Sequence, residues 1–174
     1  MPEKKQTTFG VLCDTSYLIR LSNSNEALHE NARKYLKYLL DEGHVLFVST
    51  IALAEYAVKD PIANLPMRYF RVIPFNIDHA QRAGELTEIV LRTRNRLPEN
   101  LTDRAIIPND SKMFAQADTV QRVTHFLTAD KKCESIFNLI KESAKVSFDL
   151  LFLQRPVGES FGILDLESEG SEDA

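Results

Sequence analysis

Residues Val45 to Val58 read VLFVSTIALAEYAV. Val45 to Val48 form a short apolar, largely β-branched run of the kind that makes a buried strand. Ser49 and Thr50 follow, both residue types that cap a helix N-terminus. The apolar stretch after them suits a helix, and Asp60-Pro61 closes it, because the residue before proline is pushed out of helical dihedrals. A buried strand running straight into a capped helix is the repeating unit of an α/β fold. One residue breaks the pattern. Seven of the nine residues from Thr50 to Val58 are apolar, and Glu55 sits among them. A buried carboxylate without a partner is costly and takes up a proton before it stays charged. Glu55 must therefore reach water, meet a cation or be protonated.

Working outward, the same alternation recurs. Val11 to Cys13 predicts a first strand after Gly10. Ser22 to Asn25 is rich in N-cap residues, and Leu28, Ala32, Tyr35, Leu36, Leu39 and Leu40 recur at helical spacing until Gly43 stops them. Those leucines and Tyr35 suit a core face better than a homodimer face, the other use such a stripe can have. Tyr69 to Phe75 predicts a third strand. Asp78 opens a long helix with a buried stripe of Ala80, Ala83, Gly84, Thr87, Val90 and Leu91, where Gly84 permits close packing. Residues 95 to 108 read as a loop. Asn109 begins a helix with Met113, Phe114, Ala117 and Val120 on one face. Val123 to Leu127 predicts a fourth strand, Lys131 to Ala144 a helix and Val146 to Leu153 a last strand. Short apolar strands alternating with helices predict a mostly parallel sheet covered on both faces.

The chain has 174 residues, enough for one domain with a substantial core. No apolar run approaches the roughly 20 residues that span a bilayer, and MPEKKQTTFG lacks an apolar signal core, so a cytoplasmic protein is expected. Cys13 and Cys133 are the two cysteines. With no CxxC and no Cys/His cluster, they predict reduced thiols rather than a disulfide or a zinc site. His29, His44, His79 and His125 are scattered and suit core or surface roles. The net charge of −4 is uneven: no Lys or Arg follows Arg155, while six acids do. Residues 1 to 9 are expected to be disordered, 10 to 155 to form the folded domain, and 156 to 174 to form a flexible acidic tail.

In open parallel sheets, ligands bind beyond the carboxyl ends of the strands. Asp14 follows the first strand, Asp130 follows the fourth, Glu55 lies early in the helix after the second, and Asp110 falls in a first helical turn. All four can meet at one sheet edge. Each alone has a plain structural use, as a helix cap or as a charge that complements the helix dipole. Together they repel one another and raise one another's pKa unless a cation neutralises them. Oxygen ligands without Cys or clustered His suit Mg²⁺ or Mn²⁺, and carboxylate clusters holding such ions cleave phosphodiesters.

VLCDTS, STIALAEYA, PNDSKMFAQA and FLTADKK, in that order, resemble the PIN-domain family. The resemblance spans about residues 10 to 153. It implies a three-layer α/β/α sandwich around a parallel sheet, and a divalent-metal-dependent endoribonuclease that cleaves RNA through a metal-activated water. Carried over by motif, Asp14, Glu55, Asp110 and Asp130 are the catalytic and metal-binding acids. Thr15, Thr128 and Asn109 are supporting residues, with strand-end capping as the alternative for the two threonines. Many compact PIN proteins are toxins of the VapC type, neutralised by an antitoxin, so an antitoxin or other protein partner is implied beside the RNA. The loop at 95 to 108 and the acidic tail are longer than that pattern. Substrate phosphates would meet Arg92, Arg94, Arg96, Arg104, Lys131 and Lys132, whose plain alternative is a solvated helix end.

Other readings fit less well. A catalytically silent PIN-fold module that only binds RNA or protein is the main alternative, and the presence of all four acids speaks against it. A phosphatase of the strand-end type wants an Asp at the position of Ser16. A metal-ion adhesion site wants a Ser at the position of Leu18. A receiver domain wants an acidic pair before its phosphoacceptor strand and a Lys at a later strand end, and neither is present.

Overall fold

The computed structural model describes residues 8 to 93 and 107 to 162. Five strands, β1 (Gly10–Cys13), β2 (Val45–Ser49), β3 (Phe70–Ile73), β4 (Val123–Thr128) and β5 (Asp149–Phe152), form one sheet in the order β3-β2-β1-β4-β5. Every pairing is parallel. The helices are α1 (Thr15–Ser22), α2 (His29–Asp41), α3 (Thr50–Ala57), α4 (Ile77–Thr93), α5 (Ile107–Thr119), α6 (Lys132–Ser143) and α7 (Val157–Phe161), with short 3₁₀ turns at Ile62–Asn64 and Met67–Tyr69.

The helices form two groups. α1 packs with α2 and α3, and α2 with α7, while α4 packs with α5 and α6. Right-handed crossovers give this result, since connections running left along the sheet lie on one face and those running right lie on the other. The three layers expected from the sequence are the layers found. The central strands β1, β2 and β4 carry the most buried residues: Val11, Leu12, Val48, Phe126 and Leu127 are all at or near 0% exposure. On the α4–α6 face, Phe114 packs edge-on to Phe126 at 5.1 Å and Phe137 lies 5.1 Å from Phe148. Each fully buried side chain of this size stabilises the fold by about 1.5–3 kcal/mol.

Two glycines are demanded by the backbone. At Gly10 the register with β4 shifts, and a Cβ there would lie 2.4 Å from the Arg122 carbonyl oxygen and 2.7 Å from the Phe47 ring. Gly43 has φ +73° and ends α2, as its sequence position implied.

Several expectations need correction. Ser22 to Asn25 do not cap the next helix. Ser22 ends a helix the sequence reading missed, α1, and the N-cap of α2 is Leu28 with no side-chain bond. The buried stripe of α4 is His79, Ala83, Leu86 and Val90. Ala80, Gly84 and Leu91 lie exposed beside it, and nothing approaches Gly84 within 4 Å. The helix carrying Asp110 starts at Ile107, inside the expected loop of 95 to 108, and residues 95 to 106 of that loop lie outside the described residues. Packing also runs past the expected boundaries of 10 and 155. Phe9 stacks on His44 with ring centroids 3.6 Å apart, and Phe161 lies 4.7 Å from Tyr38. The rest of the acidic tail, 163 to 174, lies outside the described residues.

Candidate active site

The strand order reverses between β1 and β4. The chain winds left from β1 to β3 and then restarts on the other side of β1. The loops leaving β1 and β4 therefore diverge to opposite faces and leave a crevice between them. Asp14 leaves β1 and Asp130 leaves β4, so both flank that crevice. Glu55, on α3 after β2, and Asp110, in the first turn of α5, complete its walls. All four acids line one cleft of about 440 Å³.

Asp14 is the buried member, with 5% exposure. It caps α1 by accepting from the Thr15 amide at 2.7 Å. Its other oxygen accepts from Ser16 Oγ at 2.5 Å and Thr128 Oγ1 at 2.8 Å. Burial pushes its pKa up, these donors pull it back, Glu55 adds a small upward push, and the net direction is up. The Thr15 hydroxyl turns the other way and donates to Glu55 at 2.5 Å. Thr128 also accepts from the Asp130 amide at 3.0 Å, and Asp130 in turn accepts from the Lys132 amide at 2.9 Å at the start of α6. Asp14 is thus both a helix cap and a cleft wall, and Asp130 both walls the cleft and accepts from an amide at the start of α6. The capping and site readings of the sequence were not alternatives.

Asp110 has no such donors among the described residues. Its carboxyl is pushed up to about 8, first by burial and then by the charges of Asp14, Asp130 and Glu55, with Lys132 opposing. Among the described residues, no ion pair joins any cleft acid to a base. Equally, no group of three or more Asp, Glu, His or Cys there is drawn together closely enough to be a ready-made ion cage. Four carboxylates without a cation repel, and hydrogen bonds hold Asp14 and Glu55 to neighbouring hydroxyls. The donor set nonetheless suits a hard divalent ion: all oxygen, one edge, with a mutual charge penalty that a cation would relieve.

The bases divide differently from the sequence expectation. Lys132 lines the cleft, and so do Arg20 and Lys59, which the sequence reading did not select. Their signal was helical spacing: Arg20 is four residues after Ser16, and Lys59 four after Glu55. Recognising Asp14 as the cap of α1 would have exposed the first. Ser16, which stands where a strand-end phosphatase has an Asp, donates its hydroxyl to Asp14. Arg92 is not at the site. It pairs with Glu88 at 2.6 Å and borders a mostly apolar groove of about 560 Å³ on α4. That groove is larger than the acid cleft, but it gathers no catalytic chemistry. Asn109 receives only a long contact from Lys112, at 3.4 Å, and is not in the cleft wall; nor is Lys131. Arg94, Arg96 and Arg104 lie outside the described residues. Cys13 and Cys133 are free and buried, with thiols pushed up chiefly by burial, as inert thiols are.

The fold and cleft define an α/β/α protein with an acidic site at its topological switch point. Solved structures of the VapC type share that fold. The VapBC2 complex of Rickettsia felis, bound to a DNA fragment from their promoter, matches over 82% of this chain and 98% of that one, with TM-score 0.55 and 17% identity. A DNA-bound VapBC from Salmonella typhimurium matches over 84% and 99%, with TM-score 0.55 and 15% identity. VapC20 of Mycobacterium tuberculosis, a toxin that cleaves the sarcin-ricin loop, matches over 72% and 93%, with TM-score 0.50 and 18% identity. The fold is therefore the PIN-domain fold that the four motifs resemble. No family model and no curated protein matches the sequence.

Proposed function

We propose that this protein is a divalent-metal-dependent endoribonuclease, acting as the toxin of a toxin–antitoxin pair. The observation that carries the reading is Asp110, half-buried beside three further acids, opposed by Lys132 and in no ion pair with a described base. A protein keeps such a costly arrangement where it is used. Asp14, Glu55, Asp110 and Asp130 would hold the ion, with Thr15, Ser16 and Thr128 fixing the carboxylate orientations. Mg²⁺ or Mn²⁺ bound there supplies Lewis acidity toward a phosphodiester and its attacking water. Arg20, Lys59 and Lys132 would hold flanking phosphates, Lys132 being the one base of the sequence expectation that lines the cleft among the described residues. The toxin role and an antitoxin partner rest on the likeness to VapC proteins solved in VapBC complexes, and RNA as substrate on the likeness to a toxin that cleaves the sarcin-ricin loop.

The competing reading is a silent binding module, which the lack of a preformed three-acid cage among the described residues favours. Incubation with mixed RNA in Mg²⁺, Mn²⁺ or EDTA separates the two, run beside Asp14→Asn and Asp110→Asn. Cleavage that needs metal and is lost in both variants is the expected result. RNA binding without cleavage in any metal would replace the nuclease with the binding module.

A further inference from the structure

The acid cleft does not end at Lys59. A second pocket of about 350 Å³ opens beyond it, and Ile19 and Lys59 line both spaces. One wall of the second pocket is the α1–α2 turn, with Ser22, Asn23, Ser24 and Glu26; the other is Tyr56 and Asp60 at the end of α3. Its volume lies in the range of small-ligand pockets, about 300–1,000 Å³.

The polar groups there differ in how far they are already used. Asp60 is spent on structure, accepting from Tyr56 Oη at 2.9 Å and Asn64 Nδ2 at 2.8 Å. Ser22 Oγ donates to the Ile19 carbonyl at 3.2 Å. Asn23 Oδ1 accepts from the Asn25 amide at 3.0 Å, which fixes the side chain and leaves its NH₂ to donate. The Glu26 carboxylate makes no hydrogen bond or ion pair with any described residue, while its backbone amide donates to the Asn23 carbonyl at 3.1 Å and holds the two residues on one turn.

Charge decides what fits. Lys59 stands at the junction and suits a phosphate. Beyond it, Glu26 and Asp60 repel phosphate, so a strand that follows the cleft must present an uncharged, donor-rich group there. We propose that this pocket is a nucleobase subsite beside the cleavage site, and that it selects guanine. Guanine alone offers two adjacent N–H donors for one carboxylate, with an O6 acceptor beside them for an amide NH₂. Glu26 and Asn23 supply that pair. Ile19 supplies an apolar surface for the base face. Single-stranded RNA is read in this way, by bases turned out of the stack and bonded along their Watson–Crick edges. The proposal rests on the nuclease reading above.

The test is binding by fluorescence anisotropy, with the full chain in EDTA so that turnover plays no part. The probes are short oligouridylates carrying one G, A, C or U at a central position. Wild type should prefer the G-containing strand by about tenfold, the scale of one good bidentate base contact. Glu26→Gln and Asn23→Ala should each remove that preference, so that the four strands bind each variant alike. Lys59→Ala should weaken all four strands alike and reduce the salt slope by about one. RNA binding with no preference, or a preference that survives both Glu26→Gln and Asn23→Ala, overturns the subsite and leaves the nuclease reading standing. No RNA binding by wild type overturns the subsite, while the cleavage assay in Mg²⁺ or Mn²⁺ decides the nuclease reading.

Discussion

The two ends of the sheet carry buried ionisable groups and treat them in opposite ways. At the carboxyl ends of the strands, burial first and neighbouring acids after it raise the pKa values of Asp14 and Asp110. At the amino ends, His44 and His125 are held neutral among aromatic rings. Phe9 stacks on His44, lies 4.5 Å from His125 and 6.1 Å from Phe161, and donates its amide to His44 Nδ1 at 3.3 Å. Burial lowers the pKa of both histidines. The histidine end stacks its imidazoles and becomes neutral, with His44 Nε2 buried and without a hydrogen-bond partner among the described residues. The acid end leaves charge repulsion in place, and that repulsion is what a cation would relieve. The aromatic packing and the proposed site thus sit at opposite edges of one sheet.

The largest expected effect breaks one end alone. Asp14→Asn should reduce RNA cleavage by about 100-fold or more, the scale of losing one stabilising group at a reacting centre. Its thermal midpoint should change little, because loss of a buried charge offsets the hydrogen bonds that a single amide oxygen cannot accept; a large loss of stability would show that the cleavage defect is a folding defect. At the other end, Phe161→Ala should lower unfolding stability by about 1–2 kcal/mol, less than the 3–5 of a fully buried ring because Phe161 is half-buried. Cleavage per folded molecule should not change, and kinetics on the purified variant would reveal any link between the two ends.

Titration sharpens the contrast. Asp110 has a folded-state pKa of about 8 against an ordinary 3.8, so the unfolded chain binds fewer protons in between. Its contribution to the metal-free protein's stability therefore falls as pH rises from about 4 to about 8. His44 and His125 have folded pKa values below the ordinary 6.5. Their contribution is present above about 6.5 and is lost as pH falls below it. Denaturant midpoints from pH 4.5 to 9 should show that Asp110→Asn removes the loss toward alkaline pH and retains the loss toward acid. A variant with an unchanged alkaline limb would mean that Asp110 is not the group responsible. The smallest effect is expected at Arg92, which belongs to neither end. Arg92→Ala should change stability by no more than about 0.5 kcal/mol, and RNA affinity measured beside it should match wild type.

Much of this was legible in the chain. VLFVSTIALAEYAV predicts a strand, a cap and a helix, and all three are present, because residues near in sequence decide them: Ser49 accepts from the Ile51 amide at 2.9 Å. Asp14, Asp110 and Asp130 were legible because each sits at a strand end or a helix start, and Glu55 because it interrupts an apolar run, although it lies in the last turn of α3 and not near its start. α1 was missed because its start signal, Asp14, was being read for chemistry, and its eight residues leave little periodicity to detect. The α4 stripe was read one position off, because alanine, glycine and leucine recur on two adjacent lines of that helix and only the packing partners choose between them.

By itself, the sequence determined the alternation of strands and helices, the parallel sheet that this alternation demands, and which carboxylates stand at its edge. Those properties follow from local propensity, capping and apolar period. Tertiary structure alone decided that β1 and β4 are neighbours, which opens the crevice between Asp14 and Asp130 and brings Ser16 and Thr128 onto one carboxylate 112 to 114 residues apart in the chain. It alone placed Arg20 and Lys59 at the cleft and Arg92 away from it. Strand order is set by which crossovers bury the most apolar surface together, and no local stretch of sequence carries that sum.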